Sequence, residues 1–112
     1  MSLYASYLKE RTGKSIFESE KGFATYCFNL IGDAKVCYIE DIYVVDSERH
    51  TGEASRMADE IAALAKSQDC KALVGSVCPT ANHSTASLKV LLSYGFQLWK
   101  AEPNMIWFSK EI

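Results

Sequence analysis

Residues 38–56 read Tyr38-Ile39-Glu40-Asp41-Ile42-Tyr43-Val44-Val45-Asp46-Ser47-Glu48-Arg49-His50-Thr51-Gly52-Glu53-Ala54-Ser55-Arg56. The first part is β-branched and aromatic apart from a carboxylate pair, which is strand composition. A polar loop follows. From residue 52 to 67 the period changes, and Ala54, Met57, Ala58, Ile61, Ala62 and Ala65 form one helical stripe, with Asp59 and Glu60 facing away. A strand that ends in a short loop before a helix with small first-turn residues can hold a phosphate, through free backbone N–H groups and the helix dipole. Gly52 permits close backbone approach, Ala54 keeps the first turn clear, and Arg49 offers a charge-assisted contact. On spacing alone the stretch reads first as an ordinary strand-to-helix loop. The G-x-x-x-x-G-K-[ST] loop and the three-glycine dinucleotide fingerprint are both absent.

The flanking sequence supplies the rest of one sheet. Residues 3–11 predict a short helix with Leu3, Tyr4, Tyr7 and Leu8 on one face, ended by Thr12-Gly13. Residues 15–20 have weak strand character. Residues 22–31 alternate more clearly, with Phe23, Thr25, Cys27 and Asn29 on one face and Ala24, Tyr26, Phe28 and Leu30 on the other. Gly32-Asp33 predicts a hairpin turn into a strand over residues 35–45. Beyond the central helix, residues 71–77 predict a strand buried on both faces. Residues 82–93 predict a helix with Leu88, Leu91 and Leu92 inward, and Gly95 suits the left-handed position after its end. Residues 96–101 and 105–110 predict a terminal hairpin. The order is α-β-β-β-α-β-α-β-β, an α/β (α+β) fold with a mixed, mostly antiparallel sheet and flanking helices. The strand–helix–strand crossover makes the strands at 35–45 and 71–77 parallel neighbours.

A chain of 112 residues fits one domain, here 1–112, with 48% hydrophobic and 23% charged residues. A net charge of −2 gives no general reason to bind nucleic acid or anionic lipid. No apolar run approaches the ~20 residues of a membrane span, and residues 1–4 lack the regions of a signal peptide. Cys27, Cys37, Cys70 and Cys78 form no C-x-x-C pair, and neither His50 nor His83 stands at zinc-finger spacing from them. They read as reduced thiols of a cytoplasmic protein, with no metal site. Trp99 and Trp107 read as core packing in preference to a protein interface.

Arg49-His50-Thr51-Gly52-Glu53-Ala54 resembles the R/Q-x-x-G-x-G/A signature of GNAT N-acetyltransferases. Residues 38–44 resemble the strand that precedes it in that family, with its Glu-Asp pair, at the matching distance. Tyr94-Gly95-Phe96 is similar to the x-G-F that closes the family's second helix. The resemblance covers residues 15–110 and is sharpest over 38–56.

The resemblance implies a GNAT-like sheet in which the strands at 35–45 and 71–77 splay into a V-shaped cleft for acetyl-CoA. Ile42, Tyr43 and Val44 would face the pantetheine, through the backbones of Ile42 and Val44. His50, Thr51, Gly52, Glu53, Ala54 and Ser55 would hold the pyrophosphate on their N–H groups, with Arg49 beside them. The implied reaction is attack of an amine, on a small molecule or a protein, upon the thioester. It needs a proton acceptor and an oxyanion donor. Glu40 is the family-matched base, with Asp41 beside it. Strand alternation sends these two to opposite faces unless a bulge intervenes. Solvation, or pairing with a lysine such as Lys35 or Lys89, is the other reading.

Three departures bear on activity. Counted back from Gly95-Phe96, Ser84 and Ser87 stand where the family has Asn and Ala, and Leu91 stands where it has the tyrosine that protonates the leaving thiolate. Tyr94 is about 300° around the helix from that position at ~100° per residue, and His83 is a second substitute or simply a loop residue. Asn82 replaces the missing Asn if the helix start shifts. Glu53 puts a carboxylate in the phosphate turn, where it repels pyrophosphate unless it turns outward, although the dipole favours it there. The region before the sheet is short, which leaves the acceptor side open or completed by a second subunit, as in a homodimer. The alternative is a catalytically degenerate GNAT-fold module that binds CoA or a protein partner.

Overall fold

The structure is a computed structural model describing residues 2–82 and 84–112. Its elements are α1 (Leu3–Thr12), β1 (Ser15–Glu18), β2 (Gly22–Ile31), β3 (Ala34–Val44), α2 (Glu53–Ser67), β4 (Ala72–Val77), α3 (Ser84–Tyr94), β5 (Gln97–Glu102) and β6 (Met105–Glu111). The expected order stands, with ends moved by one to two residues. A 3-10 turn at Asp46–Glu48 lies in the loop after β3. The six strands form one sheet in the order β1-β2-β3-β4-β6-β5, antiparallel except for β3 and β4.

The core lies on one face of this sheet. Ala24, Tyr26, Cys37, Ile39, Leu73, Val77 and Phe108 project towards Ile61 and Ala65 of α2 and Phe96 after α3, with Leu88, Leu91 and Tyr94 packed against them. The stripe of α2 is as expected, since Met57, Ala58, Ile61 and Ala65 are buried. Two helix faces differ from expectation. In α1 the buried residue is Ala5, and Leu3, Tyr4 and Tyr7 are exposed. Its ends are secure: the Ser2 hydroxyl accepts from the Ala5 N–H, and Gly13, at φ 75°, donates to Lys9 O. In α3 Leu92 is exposed, leaving Leu88 and Leu91 as the inward leucines. Gly95, at φ 102°, ends α3 as expected, with Gly95 N–H bonded to Leu92 O and Phe96 N–H to Leu91 O.

The opposite face carries Thr25 and Cys27 of β2, Tyr38 of β3, Val74 and Ser76 of β4, and Trp107 of β6. Their registers fix this assignment, because directly paired strand residues project to the same side. The two tryptophans belong to this side and not to the core: Trp99 is exposed and Trp107 half-buried. Among the described residues, no helix is long and apolar enough to cross a membrane.

Candidate functional site

Two irregularities in strand pairing make the site. First, β3 and β4 pair only through Val36, Cys37 and Tyr38 against Ala72, Leu73 and Val74. Beyond Tyr38 the parallel partners separate, while β3 continues to Val44 and β4 to Val77. The Val45 N–H donates to Lys21 O on the β2 side at 2.8 Å. Alternation therefore turns the N–H groups of Val44 and Ile42 to the other edge, the one β4 has left. Tyr43, between them, is exposed. Gly22, opposite Val44, allows β2 to run this close, since a Cβ there would stand 2.0 Å from Tyr43 O.

Second, Thr25 pairs with Asp41 while its neighbour Tyr26 pairs with Ile39, so Glu40 is an extra residue in β3. This is a β-bulge. It places Ile39 and Ile42 together on the core face, and Asp41 on the opposite face with Thr25. The expected alternation of Glu40 and Asp41 is therefore corrected. Both carboxylates serve the face opposite the core, where Asp41 Oδ2 accepts from Thr25 Oγ1 at 3.5 Å and Glu40 is ion-paired with Lys14. The partner lysine is thus Lys14, not Lys35 or Lys89. That carboxylate holds the Lys14 ammonium above its ordinary pKa.

The cleft floor is a small cavity of about 20 Å³, lined in part by Ile42, Ala54, Ser55, Leu91 and Tyr94. Tyr94 thus shares a cavity with Leu91 despite its place around the helix. Its hydroxyl donates to Asp59 Oδ1 at 2.6 Å, and burial with that carboxylate raises its pKa above the ordinary 10.0. Asp59, expected to face away, is therefore a link between α2 and α3.

At the head of the cleft, Gly52 (φ 89°) and His50 (φ 66°) carry the chain through left-handed conformations into α2. The first helical bond runs from Arg56 N–H to Gly52 O. Among the described residues, the backbone N–H groups of His50, Thr51, Gly52, Glu53, Ala54 and Ser55 have no acceptor in the protein. A helix N-terminus with a row of such donors is suited to an anion. The Glu53 side chain is turned away from it. It is 6% exposed and accepts from Arg56 Nε at 2.6 Å, Arg56 Nη2 at 2.9 Å and Ser19 Oγ at 2.8 Å. These bonds, led by that of Arg56, lower its pKa from 4.5 to about 2. Arg49 is also committed: Nε donates to Val44 O at 3.0 Å, Nη1 to Asp46 Oδ1 at 3.2 Å, and the guanidinium lies 5.7 Å from the Tyr43 ring centre. It fastens the loop to the end of β3.

Asn82 and Ser87 are exposed, Ser87 one turn before Leu91 on the same side of α3. Ser84 opens that helix. His83 lies outside the described residues. Sequence reasoning missed Ser19, Arg56 and Lys14, because each acts through a partner at least one element away or on an unforeseen side of its helix. Among the described residues no group of His, Cys, Asp and Glu could hold a metal ion.

The sequence model of the acetyltransferase (GNAT) family matches residues 7–96. No curated protein sequence matches the chain. Among solved structures, a GNAT family acetyltransferase from Elizabethkingia anophelis with acetyl-CoA bound superposes with a TM-score of 0.70 at 19% identity, covering 98% of this chain and 82% of that one. Arabidopsis thaliana NAA60 in complex with a bisubstrate analogue gives 0.65 at 18%, covering 85% and 67%. A GNAT family acetyltransferase from Listeria monocytogenes gives 0.67 at 15%, covering 88% and 64%. At these identities the likeness establishes the fold.

Proposed function

The chain belongs to the acetyltransferase (GNAT) family, and we propose that it transfers an acetyl group from acetyl-CoA to an amine, on a small molecule or at a protein lysine or N-terminus. The observation that carries this reading is the row of unbonded N–H groups at residues 50–55, standing beside the β3 edge that β4 leaves free. The row suits a pyrophosphate and the free edge at Ile42 and Val44 suits the amides of a pantetheine arm, so the residues present fit CoA. Acetyl-CoA, bound by solved relatives of this fold, would supply an acyl group activated as a thioester.

The chain's own groups have separate tasks. The bulge at Glu40 offers two carboxylates to one face, where either takes the proton an attacking amine must lose, directly or through a water. Lys14 keeps a cation at Glu40 until an acceptor ammonium replaces it. The apolar wall of Ile42, Leu91 and Phe96 excludes water from the cleft. Tyr94 lines the same cavity as Leu91, which stands at the family's proton-donor position, and its hydroxyl must release Asp59 to serve. Four free thiols suit a reducing compartment, and we place the protein in the cytoplasm with no nucleic-acid partner.

Leu91 at the usual tyrosine position, with the Tyr94 proton directed to Asp59, favours a second reading: a module that binds CoA or a protein without turnover. Calorimetry with acetyl-CoA and CoA, alongside an Arg49→Ala, Gly52→Glu double variant, tests the cofactor site. Binding lost in the variant supports it, and an acceptor screen over polyamines and lysine peptides then separates enzyme from module. No heat at millimolar acetyl-CoA overturns both CoA-dependent readings.

A further inference from the structure

β5, an edge strand of the sheet, carries a second bulge. Leu98 pairs with Phe108 and Lys100 with Trp107, leaving Trp99 as an extra residue. Phe108 belongs to the core face and Trp107 to the opposite face. The bulge therefore turns Lys100 to the side of Trp107 and Trp99, where strict alternation from Leu98 would have sent it to the core side.

The result is a cage around a cation. The Lys100 ammonium lies 4.7 Å from the Trp99 ring centre and 5.5 Å from that of Trp107. The two indoles meet edge-on at 74° with centres 6.5 Å apart. Glu102 Oε1 accepts from Trp107 Nε1 at 2.6 Å and stands 3.8 Å from Lys100 Nζ. Tyr38 continues the aromatic wall, its ring 5.7 Å from Trp107 and its hydroxyl 2.8 Å from Ser76 Oγ. The cage borders an open concavity of about 570 Å³ whose other side is formed by Leu30 and Ile31 at the end of β2. Leu30, at the rim, is 72% exposed where a ligand would cover it.

We propose that Trp99, Trp107 and Glu102 form a binding site for an external alkylammonium group, with Lys100 as its tethered occupant. Ring faces attract ammonium electrostatically, and indole does so most strongly. Lys100 shows that an alkylammonium fits. Its hold is weak, because its ion pair with Glu102 is half exposed and exposed pairs contribute little. An incoming ammonium that also fills the concavity has apolar contacts that Lys100 does not make. This site lies outside the acyl-transfer cleft, needs no acetyl-CoA, and stands whether or not that reading does.

The chain has two tryptophans, Trp99 and Trp107, so indole fluorescence reports on this cage. The full chain is titrated with butylammonium, with a short peptide whose one cation is a lysine side chain, and with butanol as a neutral control, at constant ionic strength. We expect saturable changes with an ammonium and none with butanol. We expect Lys100→Met to tighten ammonium binding about threefold to tenfold, and a Glu102→Gln change added to Lys100→Met to weaken it again. Both variants keep the indoles, and matching melting curves establish that they fold. Binding of the amine identifies a free small molecule as sufficient, whereas binding of the peptide alone identifies a protein lysine. Equal affinity of Lys100→Met and the parent chain, equal binding of butanol, or no saturable change with either ammonium overturns the proposal.

Discussion

Ser19 Oγ donates a 2.8 Å hydrogen bond to Glu53 Oε2, joining the turn between β1 and β2 to the first turn of α2. That bond, with the two from Arg56, turns the carboxylate out of the N–H row that follows Gly52. Replacing Glu53 with Gln is expected to lower the urea midpoint at pH 7. A depressed carboxyl pKa stabilises the fold above the unfolded value, here near 4.5, and that stabilisation is lost as pH falls towards about 2. The parent chain should therefore lose stability more steeply than Glu53→Gln between those values. Parallel acid profiles of the two midpoints would remove Glu53 from this role.

Gly52 holds φ at 89° in front of α2 with open space where a Cβ would stand. Gly52→Ala therefore meets backbone strain and no clash, a cost of about 1–2 kcal/mol. Gly22→Ala is expected to cost more, because its Cβ would meet the Tyr43 carbonyl. Thermal melts of the two variants should rank in that order.

Gly75 and Leu91 are coupled by packing. A Cβ on Gly75 would stand 2.9 Å from Leu91 Cδ2. Gly75→Ala should cost about 1–3 kcal/mol by overpacking. Leu91→Ala should absorb part of that cost, leaving a coupling of about 0.5–3 kcal/mol in a double-mutant cycle by urea unfolding. Strict additivity would show that the two do not meet.

Tyr94 should resist ionisation. Its raised pKa means that the contribution of this phenol to stability is complete below pH 10 and is lost as pH rises further. Alkaline absorbance titration should show a late-ionising phenol that Tyr94→Phe removes, with Tyr26, also raised by burial, remaining. The lost bond to Asp59 should cost about 1 kcal/mol at neutral pH.

The thiols should separate by reactivity. Burial pushes Cys37 up to about 12, and Cys70 is raised too, while hydrogen bonds from Thr80 lower Cys78. Mild alkylation at pH 8 followed by peptide mapping should label Cys78 well before Cys37 and Cys70.

Much of this was legible from local pattern. The alternation of residues 22–31, the stripe from Ala54 to Ala65 and the left-handed Gly95 each follow from interactions within one element, and they set the element order. The resemblance at residues 49–54 pointed to the loop whose N–H groups the structure leaves unbonded. Three side chains were not legible. Nothing along the chain names the partners that hold Glu53, Arg49 and Tyr94, which are Ser19 and Arg56, Asp46 and Val44, and Asp59.

The sequence by itself determined the periods, turns and polarity of each segment, because those depend on near neighbours along the chain. Its strand–helix–strand order made β3 and β4 expected parallel neighbours, because a crossover helix is the usual connection between such strands. Only the tertiary structure decided where two strands fall out of register. A bulge is a count of residues against a partner strand, so no single strand carries it. Those two counts, at Glu40 and Trp99, put both carboxylates on one face and both tryptophans around one lysine.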